Sequence, residues 1–220
     1  MRGLVLGLAI SLLGAQAGAA TIGTGAGQYG EGSSFALSFN GLIEGHDVAG
    51  LSAQMTFTVA DIDTSANTIV LNYSISNTSS APIDYSRISA FGFNTDPNLL
   101  RSSDVTGVFT REHYERNVPQ LGTFEFCANQ NLGYSCGGGM GVGVRMGETG
   151  DGTLTLRFAN SIADGAELTD FFVRYQSVWG SRYGTSGVGI ATPPIPEPGA
   201  VALFGLGALL IGLTLRRRSA

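Results

Sequence analysis

An all-β fold, an antiparallel β-sandwich of about eight or nine strands, is what this sequence predicts. Three observations lead there. Apolar residues alternate with polar ones, or run in short blocks, at 55–59, 69–75, 152–158 and 170–175, which sets one side of each strand on a core. Asp, Asn, Ser and Gly cluster between the blocks at 61–67, 77–82, 94–98 and 147–152, where they supply the backbone freedom or local hydrogen bonding of a turn. Glycine, at 33 of 220 residues, is about twice its usual share, and no amphipathic helical period persists over three turns between the ends.

The elements follow in chain order. Residues 1–20 open with Arg2, pass through an apolar stretch at 3–13 and close on Ala15, Ala17, Gly18, Ala19 and Ala20. These are the parts of a secretory signal peptide read by the Sec translocon and signal peptidase, with cleavage after Ala19 or Ala20. The apolar stretch is too short for a transmembrane helix, which takes roughly 20 residues. A glycine-rich lead-in and a first strand occupy 21–40, with 21–32 expected to be flexible. The sandwich domain is expected over 41–180. Inside it, 96–120 has few strand signals and reads as a long loop across one end, with a brief helical turn at 111–116. A linker is expected at 181–195.

From residue 193 the chain reads Pro-Pro-Ile-Pro-Glu-Pro, then an uncharged stretch at 199–215, then Arg216, Arg217 and Arg218. Prolines stop a strand and stiffen the approach. As a helix, 199–215 would rise roughly 26 Å, the short limit for a transmembrane helix. The arginines resist export and act as a cytoplasmic stop, so the preceding domain belongs on the far side of the inner membrane. The order Pro196, Glu197, Pro198, small-residue helix with Phe204 and arginine tail, over 196–220, resembles the PEP-CTERM sorting signal. The resemblance implies recognition and cleavage near Pro-Glu-Pro by an exosortase, a membrane enzyme of Gram-negative bacteria that also make extracellular polysaccharide. The chain would be its substrate. It would pass from an inner-membrane anchored intermediate to the cell surface or extracellular matrix.

Charge and cysteine content bound the function. All 12 basic residues are arginine, and between 21 and 195 there are 16 acidic residues against 8 arginines, a formal charge of -8. Such a surface repels phosphates and argues against nucleic acid as a partner. Cys127 and Cys136 are the only cysteines, and an even, closely spaced pair in an exported chain predicts a disulfide. No Cys-x-x-Cys is present, and two histidines give little to complete a zinc site, so no metal and no cofactor is expected.

Other motifs dissolve on inspection. His113-Tyr114-Glu115 lacks the Pro-Cys-x-x-Cys of zinc deaminases. Gly25 to Gly30 satisfies a dinucleotide-binding spacing with no preceding strand, and the glycines from Gly137 lack the Lys-Ser/Thr of a phosphate loop. No Gly-x-Ser-x-Gly elbow occurs. His46 beside Asp47, and His113 near Glu112, could in principle do acid-base work, since imidazole titrates near neutrality, but exposed loop histidines are far commoner, so no catalytic residue is assigned. Residues 61–67 offer oxygen ligands at alternate positions but lack an EF-hand's central glycine and distal glutamate, so they read as a hairpin turn with calcium as the alternative.

Arg174, Tyr175, Trp179, Arg182 and Tyr183 combine flat rings with hydrogen-bond donors, a set that suits stacking on sugars or a partner protein, or simply a core. Residues 46–51, 72–78, 91–97 and 127–139 are together similar to the cistern family of PEP-CTERM proteins, which implies a surface or matrix role and supports the disulfide. The leading expectation is an exported structural or adhesive protein of the cell surface or of a biofilm's exopolysaccharide matrix. The alternative is an extracellular carbohydrate-binding module, and an enzyme is third.

Overall fold

A computed structural model describes residues 18–130, 135–137 and 141–192. The expected signal peptide body, the Pro-Glu-Pro motif, the 199–215 helix and the arginine stop lie outside the described residues. Among the described residues no helix is long and apolar enough to cross a membrane.

The chain forms β1 (Ala20–Ile22), β2 (Ser34–Ile43), β3 (His46–Asp63), β4 (Thr68–Asn77), β5 (Tyr85–Asp96) and β6 (Asp104–Gly107). It continues with β7 (Arg111–Val118), β8 (Gly122–Asn129), β9 (Val144–Arg145), β10 (Thr149–Arg157), β11 (Ala166–Trp179) and β12 (Ser186–Thr192). All twelve belong to one sheet, in the order β6-β10-β4-β3-β2-β12-β11-β5-β8-β7, with β1 added on β11 and β9 on β5. Every ladder between these strands is antiparallel.

The all-β antiparallel expectation holds, and the layout is more continuous than a sandwich. β12 hydrogen-bonds β11 on one side and β2 on the other, so no gap divides two sheets. The two ends of the path, β6 and β7, then come back toward each other. Tyr114 on β7 donates to the Ser103 carbonyl at 2.9 Å, Gln130 donates to the Val108 carbonyl, and Arg101 pairs with Glu115. The result is a sheet nearly closed into a barrel, which leaves little exposed edge.

The period-two pattern explains the interior. β2 alternates without a break from Phe35 to Ile43, and β4 does so from Ile69 to Asn77. Phe57 on β3 sits at the centre, with ring centroids of Phe35, Phe171, Phe91 and Phe93 at 5.1, 5.6, 6.3 and 6.5 Å. These rings come from opposite walls, β2 and β3 facing β5 and β11. Each fully buried aromatic contributes a few kcal/mol of apolar transfer, on the order of 2–3.

β5 is buried on both faces from Ser86 to Phe93, because the outside of this wall is covered. Phe172, Gly92 and Cys127 are register partners and share a face, opposite to Phe171, Phe91 and Phe126 of the main core. On that outer face Val118, Phe124, Cys127, Cys136, Phe172 and Val188 form a second apolar cluster. Cys127 and Cys136 are disulfide-bonded, with Cα atoms 6.1 Å apart, and Asn129 Nδ2 donates to the Ser135 carbonyl at 2.8 Å. The bridge therefore pins a cover over the outer cluster.

Several expectations are corrected. Residues 96–120 are not one long loop: β6 and β7 lie within them, and 111–116 is strand rather than a helical turn. β7 reads Arg-Glu-His-Tyr-Glu-Arg-Asn-Val, and its charges hide the strand signal while guarding a sheet end from pairing with other chains. The linker expected at 181–195 contains β12, whose Gly187 and Gly189 press against β2: a Cβ on either would fall within 2.6 Å of a β2 carbonyl oxygen. The lead-in is tied down as well, with Tyr29 and Gly23 hydrogen-bonded to Thr21 and Tyr29 carbonyls at 2.9 and 3.1 Å.

Two phenols, Tyr114 across the seam and Tyr73 of β4 holding β6 beside it, make the fold alkali-sensitive. Tyr73 donates to the Thr106 carbonyl at 3.0 Å and accepts from Phe109 N at 3.3 Å, and burial pushes its pKa up to about 12. Burial likewise raises Tyr114 to about 12. An unfolded phenol ionises near pH 10, so the folded form holds these protons more tightly. Their stabilisation is complete below about pH 10 and is lost as pH rises through about 12. Denaturant melts across that range are expected to show falling stability, with a shallower fall in the Tyr73→Phe, Tyr114→Phe double variant. The Cys127→Ser, Cys136→Ser variant is expected to lose up to about 3 kcal/mol in the same melts, from loop-closure entropy.

Candidate functional site

The five residues expected to form one binding face divide between the interior and one rim. Tyr175 is fully buried in the main core, and burial raises its pKa well above the ordinary phenol value. Arg174 is buried on the other face, where Nη1 donates to the Gly187 carbonyl at 2.9 Å and Nη2 to Ser186 Oγ at 3.2 Å. Burial lowers its pKa. Neither side chain can meet a ligand from solution. They hold β11 to β12 and fill the core instead.

Trp179, Arg182 and Tyr183 do reach the surface, where β11 ends and the chain turns toward β12. Trp179 is 60% exposed. Tyr85, its register partner on β5, supports it with ring centroids 5.2 Å apart at a tilt of 41°. The following Gly180 makes this possible. Its φ is +88°, and a Cβ there would stand 2.4 Å from the Pro82 carbonyl oxygen, so only glycine lets the strand end press against 82–84. The Asp84 amide donates to the Trp179 carbonyl at 3.0 Å and fixes the approach.

Beyond Gly180 a groove of about 290 Å³ opens between Asp47, Val48, Pro82, Ile83, Arg182 and Tyr183. Tyr183 is held on its ring: His46 stacks at 4.4 Å and 14°, and the Arg182 guanidinium lies 4.7 Å from the ring centroid. Arg182 Nη2 also donates to Tyr183 Oη at 2.5 Å. His46 and Asp47, considered in the sequence for acid-base chemistry, thus belong to this rim, His46 as a stacking partner. His113 is elsewhere, on β7, with Nε2 3.1 Å from Asn129 Oδ1.

A second concavity, missed by sequence reasoning, lies on the outer face of β3, β4 and β10. It is a shallow trough of about 460 Å³ lined by Thr56, Thr58, Asn72, Ser74, Asp151 and Thr153. The register aligns these side chains in rows: Thr58 with Asn72 and Thr153, and Thr56 with Ser74 and Asp151. Thr153 Oγ1 donates to Asn72 Oδ1 at 3.0 Å, so part of the row is satisfied internally. Its trace in the sequence was the hydroxyl residue at every second strand position.

At the β3–β4 turn, Asp63 Oδ1 accepts from Ser65 Oγ at 2.6 Å and from the Ser65 and Ala66 amides at 2.9 Å each. The Ser65 hydroxyl, then the Ala66 amide, lower its pKa. That is a hairpin turn closing on its own carboxylate. Among the described residues no group of three or more His, Cys, Asp or Glu is placed to hold a metal ion.

Residues 194–218 match the family model described as a PEP-CTERM protein-sorting motif. That motif marks the chain as an exported protein sorted by an exosortase, and the match does not extend to the cistern resemblance. No curated protein and no solved structure matches the chain.

If Gly180 presents Trp179, Gly180→Ala is expected to destabilise by about 1–3 kcal/mol through backbone strain and the Pro82 clash, and to shift the fluorescence of this sole tryptophan. Gly45→Ala, also at positive φ but with no atom within 4 Å of its Cβ, is the control, expected to cost about 1 kcal/mol and leave the emission unchanged.

Proposed function

We propose, from the premise that the chain carries a PEP-CTERM sorting motif, that its β domain is a structural or adhesive protein of the cell surface or extracellular matrix. In this reading the signal peptide is removed after Ala19, the one of the two expected cleavage points that leaves β1 whole. The 199–215 helix then holds an inner-membrane intermediate, Arg216, Arg217 and Arg218 stop transfer, and an exosortase acts near Pro196, Glu197 and Pro198. The observation that carries the reading is the match at 194–218. The domain's build supports it. A nearly closed sheet with a disulfide-pinned cover suits an oxidising exterior without chaperones, where edge pairing and cysteine chemistry are hazards.

A second reading, an extracellular carbohydrate-binding module, is favoured by one observation: the exposure of Trp179 on a supported ring.

Fractionation of the producing bacterium, with intact mass of the recovered protein, tests the first reading. The expected outcome is a surface or matrix species lacking its signal peptide and trimmed near Pro196, with two hydrogens lost to the disulfide. A Glu197→Ala variant is expected to accumulate untrimmed in the inner membrane. An untrimmed, wholly cytoplasmic wild-type protein would overturn the proposal.

A further inference from the structure

The rim around Trp179 has the parts of a sugar-binding site, arranged by three separate segments. The indole is a flat apolar plate, 60% exposed, with Tyr85 leaning on it from one side. The groove lined by the next residue, Gly180, offers a carboxylate at Asp47, a guanidinium at Arg182 and an apolar wall at Val48, Pro82 and Ile83. Asp84 stands at the junction: its Oδ2 would be 3.2 Å from a Cβ on Gly180. An open plate beside convergent donors and acceptors suits a ligand with one apolar face and many hydroxyls.

The ring stack decides which aromatic is free. Tyr183 has His46 stacked at 4.4 Å and Arg182 at 4.7 Å, so it serves as a wall that orients Arg182. Trp179 is the available platform. It does not belong to a broad apolar patch of the kind that docks proteins. The other exposed large apolar residues among those described are Leu100 and Ile190. Ile190 lies opposite Phe172, seven residues back along β11, which is roughly 23 Å away. A protein interface needs about 800 Å² per partner with an apolar centre, and a single indole, which buries roughly 250 Å² at most, falls short of that.

Charge selects among glycans. Asp47 lines the groove, Asp84 stands against Gly180, and the segment 21–195 carries a formal charge of -8, so a uronate- or sulfate-rich polymer would be repelled. Neutral sugar hydroxyls can donate to both carboxylates and accept from Arg182.

We propose that the groove lined by Asp47, Gly180 and Arg182, together with the exposed Trp179 that precedes Gly180, binds a neutral polysaccharide chain, with one sugar ring stacked on the indole. This rests on the surface reading for access to polysaccharide, and it gives that reading a chemical partner.

The test uses the purified exported protein. Its only tryptophan is the platform, so intrinsic fluorescence reports the site directly. Titration with neutral cello-, xylo- and chito-oligosaccharides is expected to give a saturable emission change with at least one of them. Trp179→Ala is expected to weaken retention on the matching insoluble polysaccharide by roughly tenfold or more. Trp179→Tyr, which keeps a flat ring, is expected to restore most of it, and Arg182→Ala to give an intermediate loss. Thermal melts check that each variant is folded. No emission change with any neutral sugar would overturn the proposal. So would undiminished retention by Trp179→Ala, binding confined to polygalacturonate, or capture of a protein through Trp179 with no response to sugars. Sugar binding by a protein that fractionates in the cytoplasm would defeat the surface reading and leave this site standing.

Discussion

The contact of Phe57 with Phe35, Phe91, Phe93 and Phe171 holds opposite walls of one sheet a ring's width apart. Everything else about the architecture follows from that spacing. A twisted antiparallel sheet wrapped around an aromatic column must curl, and a curling sheet brings its first and last strands together. The seam between β6 and β7 is where the curl ends. Tyr114 of β7 bridges it through its hydroxyl to the Ser103 carbonyl, while Tyr73 of β4 holds β6 and the residues after it through the Thr106 carbonyl and the Phe109 amide, because the strands there are too short or too charged to continue the ladder.

The two faces of the far wall have different solvents. Inside is the aromatic core. Outside, β5, β8, β11 and β12 lie under a cover that the Cys127–Cys136 bridge closes. Placing a polar strand face under a cover has an energetic consequence. Arg174 and Arg87 are both buried there, and each keeps polar atoms without hydrogen-bond partners among the described residues: Arg87 Nε and Nη1, and Arg174 Nε. Burial without a carboxylate partner opposes the charged form of a guanidinium, which is the direction in which both are shifted.

Strands with strict alternation were legible from sequence, as β2, β3, β4 and the C-terminal half of β10 show. β7 was not, because its Arg and Glu side chains serve a sheet end and cancel the apolar period. β12 was not, because glycine carries no periodicity, and its glycines are required by the closeness of β2. The binding set was half legible. A residue list from β11 and the turn after it caught Trp179, Arg182 and Tyr183, but strand alternation with its bulges turned Tyr175 inward and set Arg174 under the cover. His46, Asp47, Tyr85 and Pro82 joined the rim from segments distant in sequence.

By itself the sequence determined the secondary-structure class, the cysteine pairing and the sorting motif at 194–218. Each of these is written in neighbouring residues: a period of two, two close cysteines, and a proline-acid-proline series before an apolar stretch and arginines. Tertiary structure alone decided that the strands form one nearly closed sheet, that its outer wall carries a second core, and which aromatic meets solvent. Those outcomes depend on pairings between strands far apart in the chain and on bulges that change which way a side chain points, and no local pattern encodes either.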